Sequence, residues 1–186
     1  MKHHLSQNSP FATTKVPYGA TKNDIEEMLK EAGALAMRWT ETPDSMKGVA
    51  LPVLEFIIEN QVIGDRGEVI SSEKIPIRIQ APLTSVTKMR RTGPYSHARV
   101  HEPNRNGSMR LLYWYLKSRL EAARFGLEDL STTFMAKRIL TLPDPATGKP
   151  ISTTFGEAVK ERPEVFRGML PSFKLDTDNA LEDNSS

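Results

Sequence analysis

The chain has 186 residues, 38% of them apolar and 26% charged, with no cysteine and a formal net charge of +2. That length suits one domain with a full core. The absence of cysteine excludes disulfides, thiolate zinc sites and a cysteine nucleophile, and no apolar run approaches the ~20 residues that a membrane-spanning helix needs.

The first fifteen residues lack an apolar stretch, so residues 1–15 are expected to be a flexible N-terminus rather than a signal peptide. A helix follows, with Thr21 as its N-cap, Asp24 three residues on in a capping-box spacing, and Gly33 as the stop; Ile25, Met28, Leu29 and Ala32 form its apolar stripe. Leu35, Met37 and Trp39 then alternate with Ala36, Arg38 and Thr40, the period of a half-buried strand. Residues 49–59 are rich in β-branched side chains, and Pro52 among them suits an edge, a bulge or the first residues of a strand. After a turn at Gly64 to Gly67, Ile75, Ile77 and Ile79 alternate with polar or proline positions until Pro82. Three strands in an antiparallel meander are the simplest arrangement.

Residues 84–108 show no sustained periodicity and contain Gly93-Pro94 and Pro103 as breakers, so a basic loop is expected there. A long helix runs from near Ser108 to near Gly126. Leu130 to Lys137 adds a helical turn, Arg138 to Leu142 and Ile151 to Thr154 make a second hairpin, and Thr154 with Glu157 caps a short last helix. The expected architecture is α+β: a small antiparallel β-sheet crossed by a long central helix, with an N-terminal helix and a second β-hairpin, all within one domain at 16–173. Residues 174–186 carry Asp176, Asp178, Glu182 and Asp183 with no basic residue after Lys174, and are expected to be a disordered acidic tail.

Charge is distributed unevenly. Lys88 to Arg124 holds nine basic residues against two acidic ones, a balance of +7, which leaves −5 for the rest of the chain. Within the expected loop, Lys88, Arg90, Arg91, Arg99 and Arg105 interleave with Tyr95. A guanidinium pairs bidentately with phosphate and a phenol offers a face to a base; a solvated loop on a basic protein is the plain alternative.

The long helix is apolar on two sides. Met109, Leu112, Tyr113, Leu116, Leu120, Ala123 and Leu127 make the core stripe, while Leu111, Trp114, Ser118, Ala122 and Phe125 lie opposite, with Tyr115 at the flank and Arg110, Lys117 and Arg124 between. The second face is either covered by protein, from this chain, a second copy or a partner, or it presents Trp114 beside cations to stack bases.

Other constellations carry little chemistry. His97 and His101 have a zinc-like spacing but no third ligand and lie between helix breakers. Thr147-Gly148-Lys149 lacks the rest of a phosphate-binding loop. Carboxylate pairs such as Glu26-Glu27 and Glu128-Asp129 read as solvated helix faces, and no serine–histidine nucleophile motif is present. No catalytic residue, metal site or cofactor is expected.

Val16-Pro17, Thr21-Lys22-x-Asp24-Ile25-Glu26, Lys117-x-x-Leu120-Glu121-Ala122 with Gly126, Phe134-Met135-Ala136, Leu142-Pro143-Asp144 and Phe155-Gly156-Glu157 together resemble a group of small, mostly uncharacterised phage and prophage proteins, over residues 16–160. The chain departs from that pattern in its arginine-rich segment 88–110 and its acidic tail. The resemblance implies a phage or mobile-element origin and the cytoplasm of an infected or lysogenic bacterium. DNA-handling, host-modulating and structural roles all fit that origin.

The function expected from the residues is non-enzymatic binding of single-stranded nucleic acid, with DNA favoured, in replication or recombination. Lys88, Arg90, Arg91, Arg99, Arg105, Arg110 and Lys117 would hold phosphate, and Tyr95 and Trp114 would stack bases. The acidic tail would engage a replication, recombination or host protein. The alternative is a protein-interaction module, a host-factor inhibitor or an assembly protein that forms an oligomer or complex through Leu111, Trp114, Tyr115, Ala122 and Phe125.

Overall fold

The structure is a computed structural model that describes residues 3–4, 11–43, 50–63, 66–82, 84–144 and 146–163. In chain order its elements are β1 (His3–His4), α1 (Tyr18–Glu31), β2 (Ala34–Pro43), β3 (Ala50–Ile63), β4 (Val69–Gln80), β5 (Thr84–Arg91), β6 (His97–Pro103), α2 (Arg105–Arg124), α3 (Leu130–Thr133), a 3-10 turn (Met135–Lys137), β7 (Ile139–Pro143), β8 (Pro150–Thr154) and α4 (Phe155–Glu161). The class is α+β, with helices set against antiparallel strands.

Strands β2, β3 and β4 form the antiparallel meander, and alternation decides its two faces. Leu54, Phe56 and Ile58 stand opposite Ile79, Ile77 and Ile75, and all six are buried. On the other face Glu55 lies between Arg38 and Arg78; its carboxylate accepts from Arg38 Nε at 2.9 Å and from Arg78 Nε at 2.7 Å. Burial pulls the Glu55 carboxyl upward, but the two guanidiniums outweigh it and hold the group below its ordinary value. Pro52 is the third residue of β3, among the strand's first residues, and its carbonyl accepts from the Ala81 N–H at 3.0 Å.

Helices α1 and α2 pack against each other and against the apolar face of this sheet. Ile25 and Leu29 of α1 join Met109, Leu112, Leu116 and Leu120 of α2 and the six sheet residues in a single core, which Phe134 closes edge-on to Phe56 with ring centres 5.8 Å apart. Each such buried side chain stabilises the fold by about 2 kcal/mol. Strands β7 and β8 form the second hairpin, which joins β4 through a bridge between Ile77 and Arg138. Thr154 and Glu157 make the expected capping box at the start of α4.

Several expectations need correction. Segment 84–108 is not a loop: β5 and β6 pair antiparallel from Ser85↔Pro103 to Arg91↔His97, and α2 begins at Arg105 with Asn104 as its cap. Helix α1 starts at Tyr18 behind Pro17, so Thr21 lies inside its first turn, wholly buried, rather than capping it. Leu35 sits in a bulge between Ala34 and Ala36 and faces outward. Leu127 falls beyond the end of α2, outside the core stripe, and is exposed. The expected flexible N-terminus 1–15 is tied down in part, since β1 pairs parallel with β5 and the carbonyls of Phe11 and Ala12 accept from Asn104 Nδ2. The expected acidic tail at 174–186 lies outside the described residues.

Candidate nucleic-acid interface

The basic segment is built on a hydrogen-bonded joint. The Thr84 N–H donates to Ser108 Oγ at 3.2 Å, the two hydroxyls lie 2.8 Å apart, and both reach the Asn104 carbonyl, at 2.9 and 3.0 Å. Thr84 and Ser108 are buried, so these bonds close polar groups that water does not reach. Asn104 Oδ1 accepts from the Gly107 N–H at 3.0 Å, and a Cβ at Gly107 would come within 2.6 Å of Asn104 Nδ2 and 3.0 Å of the Phe11 carbonyl. Asn106 Oδ1 accepts from the Tyr18 N–H at 3.0 Å and so caps α1 as well. Residues 104–108 therefore fasten β5, α1, α2 and the N-terminal segment at one point.

From that joint β5 and β6 run out as a two-stranded arm. Burial fades along β5, from Thr84, buried, through Ser85 to Thr87, half-buried, to Lys88 onward, exposed. Residues 92–96 close the arm, with the Thr92 N–H donating to the Ser96 carbonyl at 2.9 Å and Arg91 bonding the Gly93 and Pro94 carbonyls at 3.1 and 2.8 Å. Tyr95 at the tip is 100% exposed.

Register sorts the arm's side chains onto two faces. Lys88↔Val100 and Arg90↔Ala98 share one face with Val86↔Glu102, while Met89↔Arg99 and Arg91↔His97 share the other. Glu102 is the one carboxylate on either strand; it pairs with Lys88 at 2.9 Å and Arg90 at 3.7 Å. The hydrogen bond and charge of Lys88 hold the Glu102 carboxyl below its ordinary value. Arg90 stays 72% exposed despite that contact, and Arg99 has no carboxylate partner among the described residues.

The cations expected on the helix are placed differently. Arg105 pairs with Glu41 at 2.7 Å and lies over the Tyr18 ring, and Arg110, 17% exposed, pairs with Asp24 at 3.4 Å and packs on Tyr113. Both are engaged in ion pairs that join separate parts of the fold. Lys117 stands over Trp114 with its Nζ 5.3 Å from the ring centre, also 3.8 Å from Glu121. Trp114 is 44% exposed and Phe125 75%, whereas Leu111, Tyr115 and Ala122 are half-buried. The second face of α2 is thus partly open among the described residues, at Trp114 and Phe125.

The sequence reading missed the joint. Its signal was present: an Asn three residues ahead of a Gly at the start of an apolar-periodic run is an N-cap pattern.

A cavity of about 940 Å³ lies between α1 and α2, lined in part by Asp24, Glu27, Lys117 and Glu121. Asp24 and Glu121 there are already paired with Arg110 and Lys117. His97 and His101 sit on a strand, roughly 13 Å apart along it. No helix among the described residues is long and apolar enough to cross a membrane. Comparison with protein-family models, curated proteins and solved structures finds no match.

Proposed function

We propose that the protein is a non-enzymatic nucleic-acid-binding protein that grips the phosphate backbone with the β5–β6 arm. One observation carries this: Lys88, Arg90, Arg91 and Arg99 project from a thin, exposed ribbon whose only opposing charge is Glu102. Charged edges also protect ribbons from edge-to-edge pairing. Three of the four cations are arginines, and the four are divided between both faces of the ribbon, which edge protection does not require. The resemblance to phage and prophage proteins supplies a setting in replication or recombination, with DNA as the ligand.

The test is a titration of a fluorescent oligonucleotide across a salt series. Four phosphates neutralised by the arm give a log–log slope of about −3 to −4, and Arg91→Gln with Arg99→Gln halves it. A slope near zero in the unaltered protein would sink the proposal.

A further inference from the structure

Which form of nucleic acid suits the arm follows from where its charge sits, and the inference rests on the proposed function above. A flexible basic loop wraps one strand, whereas a paired ribbon holds its shape and presents two fixed faces. Here both faces are cationic: Lys88 and Arg90 point one way, Arg91 and Arg99 the other. A single strand passing along the ribbon meets one face at a time and leaves the other unused. A duplex groove has a phosphate wall on each side.

The dimensions agree. From Lys88 to the turn the arm extends about 15 Å, at ~3.3 Å per residue. The major groove of B-form DNA is ~12 Å wide and admits a two-stranded ribbon, while the minor groove, at ~6 Å, is too narrow for one with side chains on both faces. The major groove of A-form RNA is deep and narrow and is closed to side chains.

We infer that the β5–β6 arm enters the major groove of duplex DNA edge-on, with Lys88 and Arg90 against one phosphate wall and Arg91 and Arg99 against the other. Glu102 then acts as a built-in competitor, because its carboxylate occupies Lys88 at 2.9 Å and Arg90 at 3.7 Å until phosphate displaces it. Tyr95 lies at the closed end of the ribbon, fully exposed.

The experiment uses the full chain with a labelled DNA duplex of about 20 base pairs, its separated strand and the matching RNA duplex. The DNA duplex is expected to bind at least tenfold more tightly than the other two, and methylation of guanine N7, which faces the major groove, is expected to abolish that preference. Arg90→Gln and Arg99→Gln, one on each face, should each reduce the salt slope by about 0.9. Glu102→Gln should raise affinity several-fold, a gain that a merely structural Lys88–Glu102 pair does not give. Tighter binding to the single strand, equal binding to the RNA duplex, or indifference to N7 methylation would overturn the groove assignment and leave the proposed function standing. No salt-sensitive binding to any of the three probes would overturn both.

Discussion

Thr21 shows how a single position changes meaning once its surroundings are known. A threonine ahead of an apolar-periodic run suits an N-cap, yet Pro17 occupies that position four residues earlier and Asn106, from another helix, supplies the capping oxygen. Thr21 Oγ1 is consequently buried with no hydrogen-bond partner among the described residues. An unsatisfied buried hydroxyl carries a desolvation cost that a methyl of the same size avoids. Thr21→Val is expected to stabilise the protein by about 1 kcal/mol, read as a higher urea midpoint at unchanged slope. Destabilisation would mean that the hydroxyl is satisfied after all.

The β5–β6 arm is the element on which the proposed function rests, and it was the least legible. Period-two alternation reports which side of a strand is buried, and this ribbon fully buries neither side beyond its base; only Ala98, Val100 and Glu102, half-buried, alternate with exposed His97, Arg99 and Pro103, a run too short to stand out. What remained was weaker: β-branched Thr84, Val86 and Thr87, then Gly93-Pro94 as a turn. By contrast Ile75, Ile77 and Ile79 announced β4 because one of its faces meets the core. The arm's position depends on the Thr84–Ser108–Asn104 joint. Ser108→Ala leaves the buried Thr84 N–H without its acceptor and is expected to cost about 1–3 kcal/mol. If the joint sets the arm, amide exchange will rise along β5 and β6 while β3 and β4 keep their protection; a uniform rise would assign the bond to global stability alone.

Across the molecule, the carboxyls with resolved shifts are all displaced downward. In Glu55 and Glu157 burial opposes the shift and hydrogen bonds from Arg38, Arg78 and Thr154 overcome it; Glu102 answers to Lys88, Asp129 to Ser131 and Asp144 to the Ala146 N–H. A depressed carboxyl contributes stability that is present above its unfolded value, 4.5 for glutamate and 3.8 for aspartate, and is lost as pH falls through the folded value. Tyr18 runs the other way: burial raises it, with Arg105 opposing and Glu41 adding, so its contribution persists below 10.0 and disappears at higher pH. The melting temperature is therefore expected to be flat from about pH 5 to pH 9 and to fall on both sides. Glu55→Gln should flatten the acid limb, and an acid limb that the substitution leaves unchanged would remove Glu55 from its causes.

The sequence by itself determined the helix-and-meander body, because those elements each bury one face and periodicity records burial. It also determined the concentration of positive charge between Lys88 and Arg124, which is a property of composition. Only the tertiary structure decided how that charge is used. It drew Arg105 and Arg110 into ion pairs with Glu41 and Asp24, partners 64 and 86 residues away, and left Lys88, Arg90, Arg91 and Arg99 on an exposed ribbon. Pairing between distant residues has no local signature, so whether a cation is spent inside the fold or offered to a ligand is settled when the chain closes on itself.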